Sequence, residues 1–134
     1  MPWYDEMIDE VAAAFGRREF GPVRRWAHPD VVFDWSRSIN DVRGVYHGPD
    51  EMEASFERFF EPWEEASWEI TSVEPLDESR LLVLTQVTVR GRESGIEIEA
   101  HGAQVWEHRD RKLERVTMYQ DRDQALSEER GGDA

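Results

Sequence analysis

The chain has 134 residues, 39% of them hydrophobic and 34% charged, the size and composition of one globular domain able to bury about two thirds of its extended-chain surface. Thirty acidic side chains against sixteen basic ones give a formal net charge of −14, too few cations to match the phosphates of nucleic acid, and the lack of cysteine excludes disulfides, thiolate metal sites and a cysteine nucleophile. No run reaches the roughly twenty apolar residues of a membrane helix, and the acidic start MPWYDEMIDE is unlike a secretory leader, so a cytoplasmic protein without membrane or nucleic-acid partners is expected.

Met7, Ile8, Val11, Ala12 and Phe15 fall at helical spacing with Asp5, Glu6, Asp9 and Glu10 on the other face, predicting a helix from Trp3 to Phe15 that stops at Gly16. A second, short helix over about 20–27 would bury Phe20, Val23 and Trp26, with Pro22 in its first turn and His28-Pro29-Asp30 as its end. VVFDW, residues 31–35, reads as a strand. The segment after it crowds Arg37, Asp41, Arg43, Tyr46 and His47 together and reads as a loop over a pocket mouth.

Residues 49–66, PDEMEASFERFFEPWEEA, form the clearest helix, with Asp50 and Glu51 in the first turn where the helix dipole favours them. Met52, Phe56, Phe59, Phe60 and Trp63 make one broad aromatic stripe, and Pro62 should kink or interrupt it.

Beyond Ala66 the apolar period changes from 3.6 to two. WEITSVEPL, RLLVLTQVTVRGR, GIEIEAHGAQVWEHR and KLERVTMYQ are four successive strands joined by tight turns, a long curved antiparallel meander. In the third, Ile96, Ile98, Ala100, Gly102, Gln104 and Trp106 share one face, and Glu97, Glu99 and His101 the other. Asp121 with Gln124 reads as a capping box opening a terminal helix, RDQALSEE. One domain is expected over 1–128, with 129–134 as a flexible tail.

Three helices, one inserted strand and a four-stranded meander give an α+β layout, with the long helix lying across a strongly bent, mainly antiparallel sheet to close a cone. The element order, the passages HPDVVFDWSRS, GVYHGPDEM and VWEHRDRKL, and the closing YQDRDQAL resemble the nuclear transport factor 2-like (NTF2-like) superfamily in its SnoaL-like branch, over residues 3–128. The resemblance implies a cystatin-like cone with an interior site, and a range of activities spanning ketosteroid isomerases, polyketide cyclases, epoxide hydrolases, dehydratases and non-enzymatic binding proteins. It puts Trp35 where ketosteroid isomerases carry their base, with Asp34 just before it, and Gln104 where they carry a proton-donating acid. Relatives also pair through the sheet face, which implies a homodimer, here with Glu97, Glu99 and His101 in the contact.

Among the residues themselves, Asp34 beside Trp35 at the mouth of an apolar cone is a candidate base, its carboxyl raised by desolvation; alternatively it points outward and pairs with Arg37 or Arg43. Gln104, a lone amide on an apolar strand face, must be hydrogen-bonded or wet, either to a ligand, as an oxyanion donor, or to Tyr46 or Tyr119. His101 could shuttle protons if a bulge turns it inward, and otherwise lies on the surface or in a dimer contact. Trp35, Tyr46, Phe56, Phe59, Trp63, Trp106, Met118 and Tyr119 are the expected walls of a pocket for a flat apolar molecule, with Trp26 and Trp68 on neighbouring elements. No metal-ligand spacing, phosphate loop or nucleophile elbow is present, so neither metal nor cofactor is expected. Two functions fit: an isomerase, cyclase or dehydratase acting by acid/base chemistry on an apolar, carbonyl-bearing substrate, or a non-catalytic ligand-binding or dimerisation module.

Overall fold

The computed structural model describes residues 3–17, 19, 21–36 and 44–131; Phe20, Arg37, Ser38, Asp41, Arg43 and the last three residues lie outside that range. Helix α1 (Tyr4–Arg17) buries Met7, Val11 and Ala14, at i, i+4 and i+7. Helix α2 (Gly21–Trp26) is six residues long, and strand β1 (Ala27–Asp34) follows at once. The His28-Pro29-Asp30 segment expected to separate them is therefore inside the strand. Its pairing skips between Ala27 and Val32, the kind of irregular stretch in which a strand tolerates a proline without an N–H.

A short strand, β2 (Val45–His47), lies where a loop was expected and pairs antiparallel with β1, setting Phe33 opposite Tyr46. Gly48, at φ 85°, turns the chain into helix α3 (Gly48–Phe60), a left-handed backbone that favours glycine. Met52, Ser55, Phe56 and Phe60 are its buried face. The helix ends at Phe60, six residues short of the predicted end, because Pro62 has no N–H with which to continue the ladder. Trp63 accordingly opens a strand, β3 (Trp63–Pro75), instead of completing the helical stripe.

Strands β4 (Arg80–Gly91), β5 (Glu97–Arg109) and β6 (Lys112–Tyr119) complete the predicted meander. The two-residue turn between β5 and β6 places both Asp110 and Arg111 at positive φ, 54° and 62°, the geometry that matches strand twist in a tight hairpin. The sheet runs β2-β1-β6-β5-β4-β3, with β1 and β6 parallel and every other pair antiparallel. Helix α4 (Arg122–Gly131) reaches past residue 128, the expected end of the domain.

Strand alternation divides the core. Leu81, Val83, Trp106, Val116 and Met118 face α1 and α3 together with Val31 and Phe33, whereas Leu82, Ala103, Val105 and Tyr119 face the other way and are covered by Ala125 of α4. The curved α+β sheet therefore has an inner face under the long helices and an outer face under the short C-terminal one. No helix among the described residues is long and apolar enough to cross a membrane.

Candidate functional site

A cavity of about 370 Å³ opens on the inner face, within the range of small-molecule sites. At its aromatic end Trp35 follows directly on β1, Phe59 comes from α3, and Trp63 and Trp68 come from β3. The rings of Trp35 and Phe59 lie 5.6 Å apart and those of Phe59 and Trp68 5.3 Å apart, so they pack on one another as one wall. Val87 and Val89 of β4, Ala100 of β5 and Met118 of β6 form the aliphatic side, and Ile98, 47% exposed, stands at the mouth.

Polar groups in this lining are few. Gln104 is 3% exposed, and its Oε1 accepts from the Trp106 indole N–H at 2.8 Å. An indole nitrogen can only donate, which fixes the oxygen toward Trp106 and leaves the amide nitrogen as the end without an acceptor among the described residues. Trp35 Nε1 is likewise buried without one. Thr85, 4% exposed, brings a hydroxyl that stays open because residue 102 is glycine: a Cβ there would stand 3.2 Å from Thr85 Oγ1. No carboxylate lines the cavity among the described residues, and no group of three His, Cys, Asp or Glu among them could hold a metal.

His101 borders the cavity through its backbone. The pairing of β4 with β5 runs from Glu97 to Glu107 without a shift, so no bulge turns the side chain inward, and alternation puts it on the outer face with Ala103 and Val105. Its imidazole is 74% exposed, with Nε2 3.9 Å from Glu99.

Asp34 also faces outward, because Phe33 and Trp35 on either side of it face in. It is nearly buried, and among the described residues Arg115 of β6 pairs with it at 2.7 Å, while Ser36 donates to it through its N–H (2.9 Å) and hydroxyl (2.5 Å); Arg37 and Arg43, the partners expected from the sequence, lie outside the described residues. The desolvated carboxyl at the pocket mouth is thus replaced by an outer-face ion pair.

Other expected wall residues divide similarly. Trp35, Phe59, Trp63 and Met118 line the cavity. Phe56 is fully buried beneath them, edge-on to Phe33 and Trp35; Tyr46 sits on β2, where its hydroxyl accepts from Arg58 at 3.4 Å; and Trp106 stands behind Gln104. Tyr119 reaches the cavity by its backbone near Gly102, while its ring packs under α4 and its hydroxyl donates to Glu129. Trp26 gives its indole N–H to Glu10 of α1. Thr85, Val87 and Gly102 were not singled out as site residues from the sequence; β4 is apolar on both faces, so its pattern does not say which face carries a site.

Charges cluster instead on the outer face. Arg80 contacts Asp77 at 2.8 Å and Glu129 at 3.1 Å, and Arg115 lies 3.9 Å from Glu107. Burial, reinforced by Glu129, pushes the Glu107 carboxyl above the usual range, and burial lowers the neighbouring His108.

The SnoaL-like domain family matches residues 8–116 of the chain. A comparison with curated proteins gives no match. Among solved structures, an NTF2-like protein of unknown function from Burkholderia pseudomallei superposes with a TM-score of 0.78 at 20% identity, covering 94% of this chain and 96% of that one. TerC, co-crystallised with polyporic acid, gives 0.75 at 18% identity over 92% and 95%. A protein of ketosteroid isomerase-like fold from Catenulispora acidiphila, in complex with trimethylamine, gives 0.73 at 11% identity over 85% and 84%. At these identities the likeness is one of fold, an NTF2-like cone.

Proposed function

The chain belongs to the SnoaL-like domain family, and from the chemistry of its cavity we propose that it holds a flat, apolar, carbonyl-bearing small molecule inside the cone, with the Gln104 amide donating to the carbonyl. The observation that carries this reading is the Gln104 nitrogen, in a largely apolar wall, with no acceptor among the described residues. That nitrogen is open to the cavity, and a hydrogen bond from it to a ligand oxygen in an apolar surrounding would contribute about 1 kcal/mol.

A cationic ligand such as the trimethylamine of the Catenulispora protein suits this cavity less well. Cation recognition calls for rings standing apart around a gap, whereas Trp35, Phe59 and Trp68 pack on one another, and the Gln104 donor would oppose a positive charge. Acid/base turnover needs a proton acceptor within reach of the ligand. The described lining has no carboxylate, and its one imidazole, that of His101, turns toward solvent. Holding and orienting the molecule, with its carbonyl polarised by Gln104, is therefore the activity we assign.

Quenching of tryptophan fluorescence by 9-fluorenone tests the proposal. Saturable one-to-one binding is expected, weakened roughly tenfold by Gln104→Leu, with the ketone recovered unchanged. No binding up to the solubility limit would reject the pocket, and chemical conversion of the ketone would reject the non-catalytic role. Pairing of two copies through the sheet face of Glu97, Glu99 and His101 belongs to the same reading, and sedimentation at high concentration tests it, a monomer being the refuting result.

A further inference from the structure

We infer that Trp106, which does not line the cavity, sets the polarity of the ligand site by locking the Gln104 amide in one orientation, so that the site selects hydrogen-bond acceptors over donors on the same skeleton. The inference rests on the pocket reading above and names the feature that would make it selective.

The two ends of a primary amide are nearly equal in shape, and an unconstrained glutamine can present either its oxygen or its nitrogen. Here the choice is made by a neighbour that can only donate. Trp106 Nε1 stands 2.8 Å from Gln104 Oε1, and the two residues are 2% and 3% exposed, so the bond forms where water competes little. Turning the amide over would set its N–H₂ against the indole N–H, leaving two donors facing each other.

Adjacent strands offer no substitute partner. Gln104 lies between Val83 and Met118, and Trp106 between Leu81 and Val116. Residues two apart on a strand share a face, so the sequence Gln104-Val105-Trp106 builds the lock within one strand. The hydroxyl of Thr85 rotates and can donate or accept, and so imposes no polarity of its own. The amide nitrogen then acts as the fixed donor, and Trp106 is a positioning residue for it.

Three planar tricycles of one skeleton test the lock: 9-fluorenone carries an acceptor at the position of interest, fluorene carries nothing polar there, and carbazole carries an N–H donor. The wild-type protein is expected to bind fluorenone at least roughly tenfold more tightly than carbazole, with fluorene between them. In Trp106→Phe the amide is free to turn, and the fluorenone-to-carbazole ratio is expected to collapse toward one. The change in fluorene affinity measures the packing lost, so the ratio separates positioning from a structural effect.

Equal binding of all three ligands by the wild type, or a wild-type ratio kept by Trp106→Phe, would overturn the lock while leaving the pocket standing. Binding of none of them would bring down the pocket reading, and the lock with it. A second measurement covers the case in which Trp106→Phe does not fold. Solvent exchange of the Trp106 indole N–H, slow in the wild type, is expected to accelerate in Gln104→Met, and equal exchange rates in the two proteins, fast or slow, would overturn the lock.

Discussion

Arg115 donates to Asp34 across the parallel pair β6 and β1, at 2.7 Å, on the face of the sheet turned away from the cavity. The Asp34 side chain is 5% exposed and that of Arg115 41%, so the carboxylate is held in the protein while its partner keeps contact with water. With the Ser36 N–H and hydroxyl also donating to it, the carboxylate is fixed as an acceptor that joins β1 to β6.

Removing it should therefore cost stability and leave the pocket alone. Asp34→Ala is expected to lose about 2 kcal/mol, because the hydrogen bonds to a buried charge disappear while Arg115 rehydrates. Denaturant unfolding measures the loss. Fluorenone affinity of the folded variant should stay within roughly twofold of wild type, since Asp34 makes no contact with the site; unchanged stability with a tenfold loss of affinity would put Asp34 at the ligand instead.

Gly102 and Thr85 set the depth of the cavity at its polar side. Gly102→Ala should change stability by less than about 1 kcal/mol: the new methyl narrows the unfolded ensemble, which stabilises, but presses on Thr85 Oγ1 from 3.2 Å, which offsets the gain. The methyl also fills space beside Gln104, so fluorenone affinity should fall several-fold. Titration and thermal melting on the same sample separate the two effects, and unchanged affinity would place the ligand elsewhere.

The division between what the sequence reveals and what it hides follows from how local the cause is. The meander was legible because its alternation and turns act within a dozen residues; that Gln104 faces in, and His101 out, depends on β5 pairing with β4 without a shift past Gly102, which alternation alone does not say. The ion pair of Asp34 with Arg115 was not legible because the two lie 81 positions apart, on strands that pair only in the folded state. The break at Pro62 was legible, but the end of α3 was placed six residues too far because the aromatic stripe continues in register through Trp63. β2 has three residues, too few for any period to show. The Gln104–Trp106 bond is local in sequence, but alternation says only that the two share a face; their contact depends on apolar neighbours that leave the amide no other partner.

Glu107 gives the protein a stability that depends on pH with a definite sign. Its native carboxyl is held above the usual value of 4.5, first by burial and then by Glu129, with Arg115 and Arg80 opposing. In the window from about pH 4.5 up to the raised native value, the folded state keeps a proton that the unfolded chain has released, so its contribution is complete below the window and is lost as pH rises through it. Glu107→Gln should therefore be more stable than wild type near pH 7 and equal to it near pH 4. His108, lowered by burial, contributes stability that is lost as pH falls, but it is present in both proteins and cancels in their difference. Urea midpoints of the pair between pH 4 and pH 8 give that difference, and a flat curve would show that the Glu107 proton is not linked to folding.

The outer face also depends on how α4 begins. Asp121 Oδ1 accepts from the Gln124 N–H at 2.7 Å, and the Gln124 side chain accepts from the Gln120 N–H at 2.7 Å, so donors left open at a helix start are satisfied from both directions. The far end of the helix is tied separately, through Glu129 to Arg80 and to Tyr119. Loss of the cap should thus loosen the first turn without undocking the helix. Asp121→Ala is expected to cost about 1 kcal/mol, with faster hydrogen exchange confined to the amides of the first turn, while Asp121→Asn, which keeps an acceptor oxygen, restores most of both. Because Ala125 sits one turn in and covers Tyr119 and Val105, exchange spreading into β5 and β6 in the Ala variant would mean instead that the cap holds the whole outer layer in place.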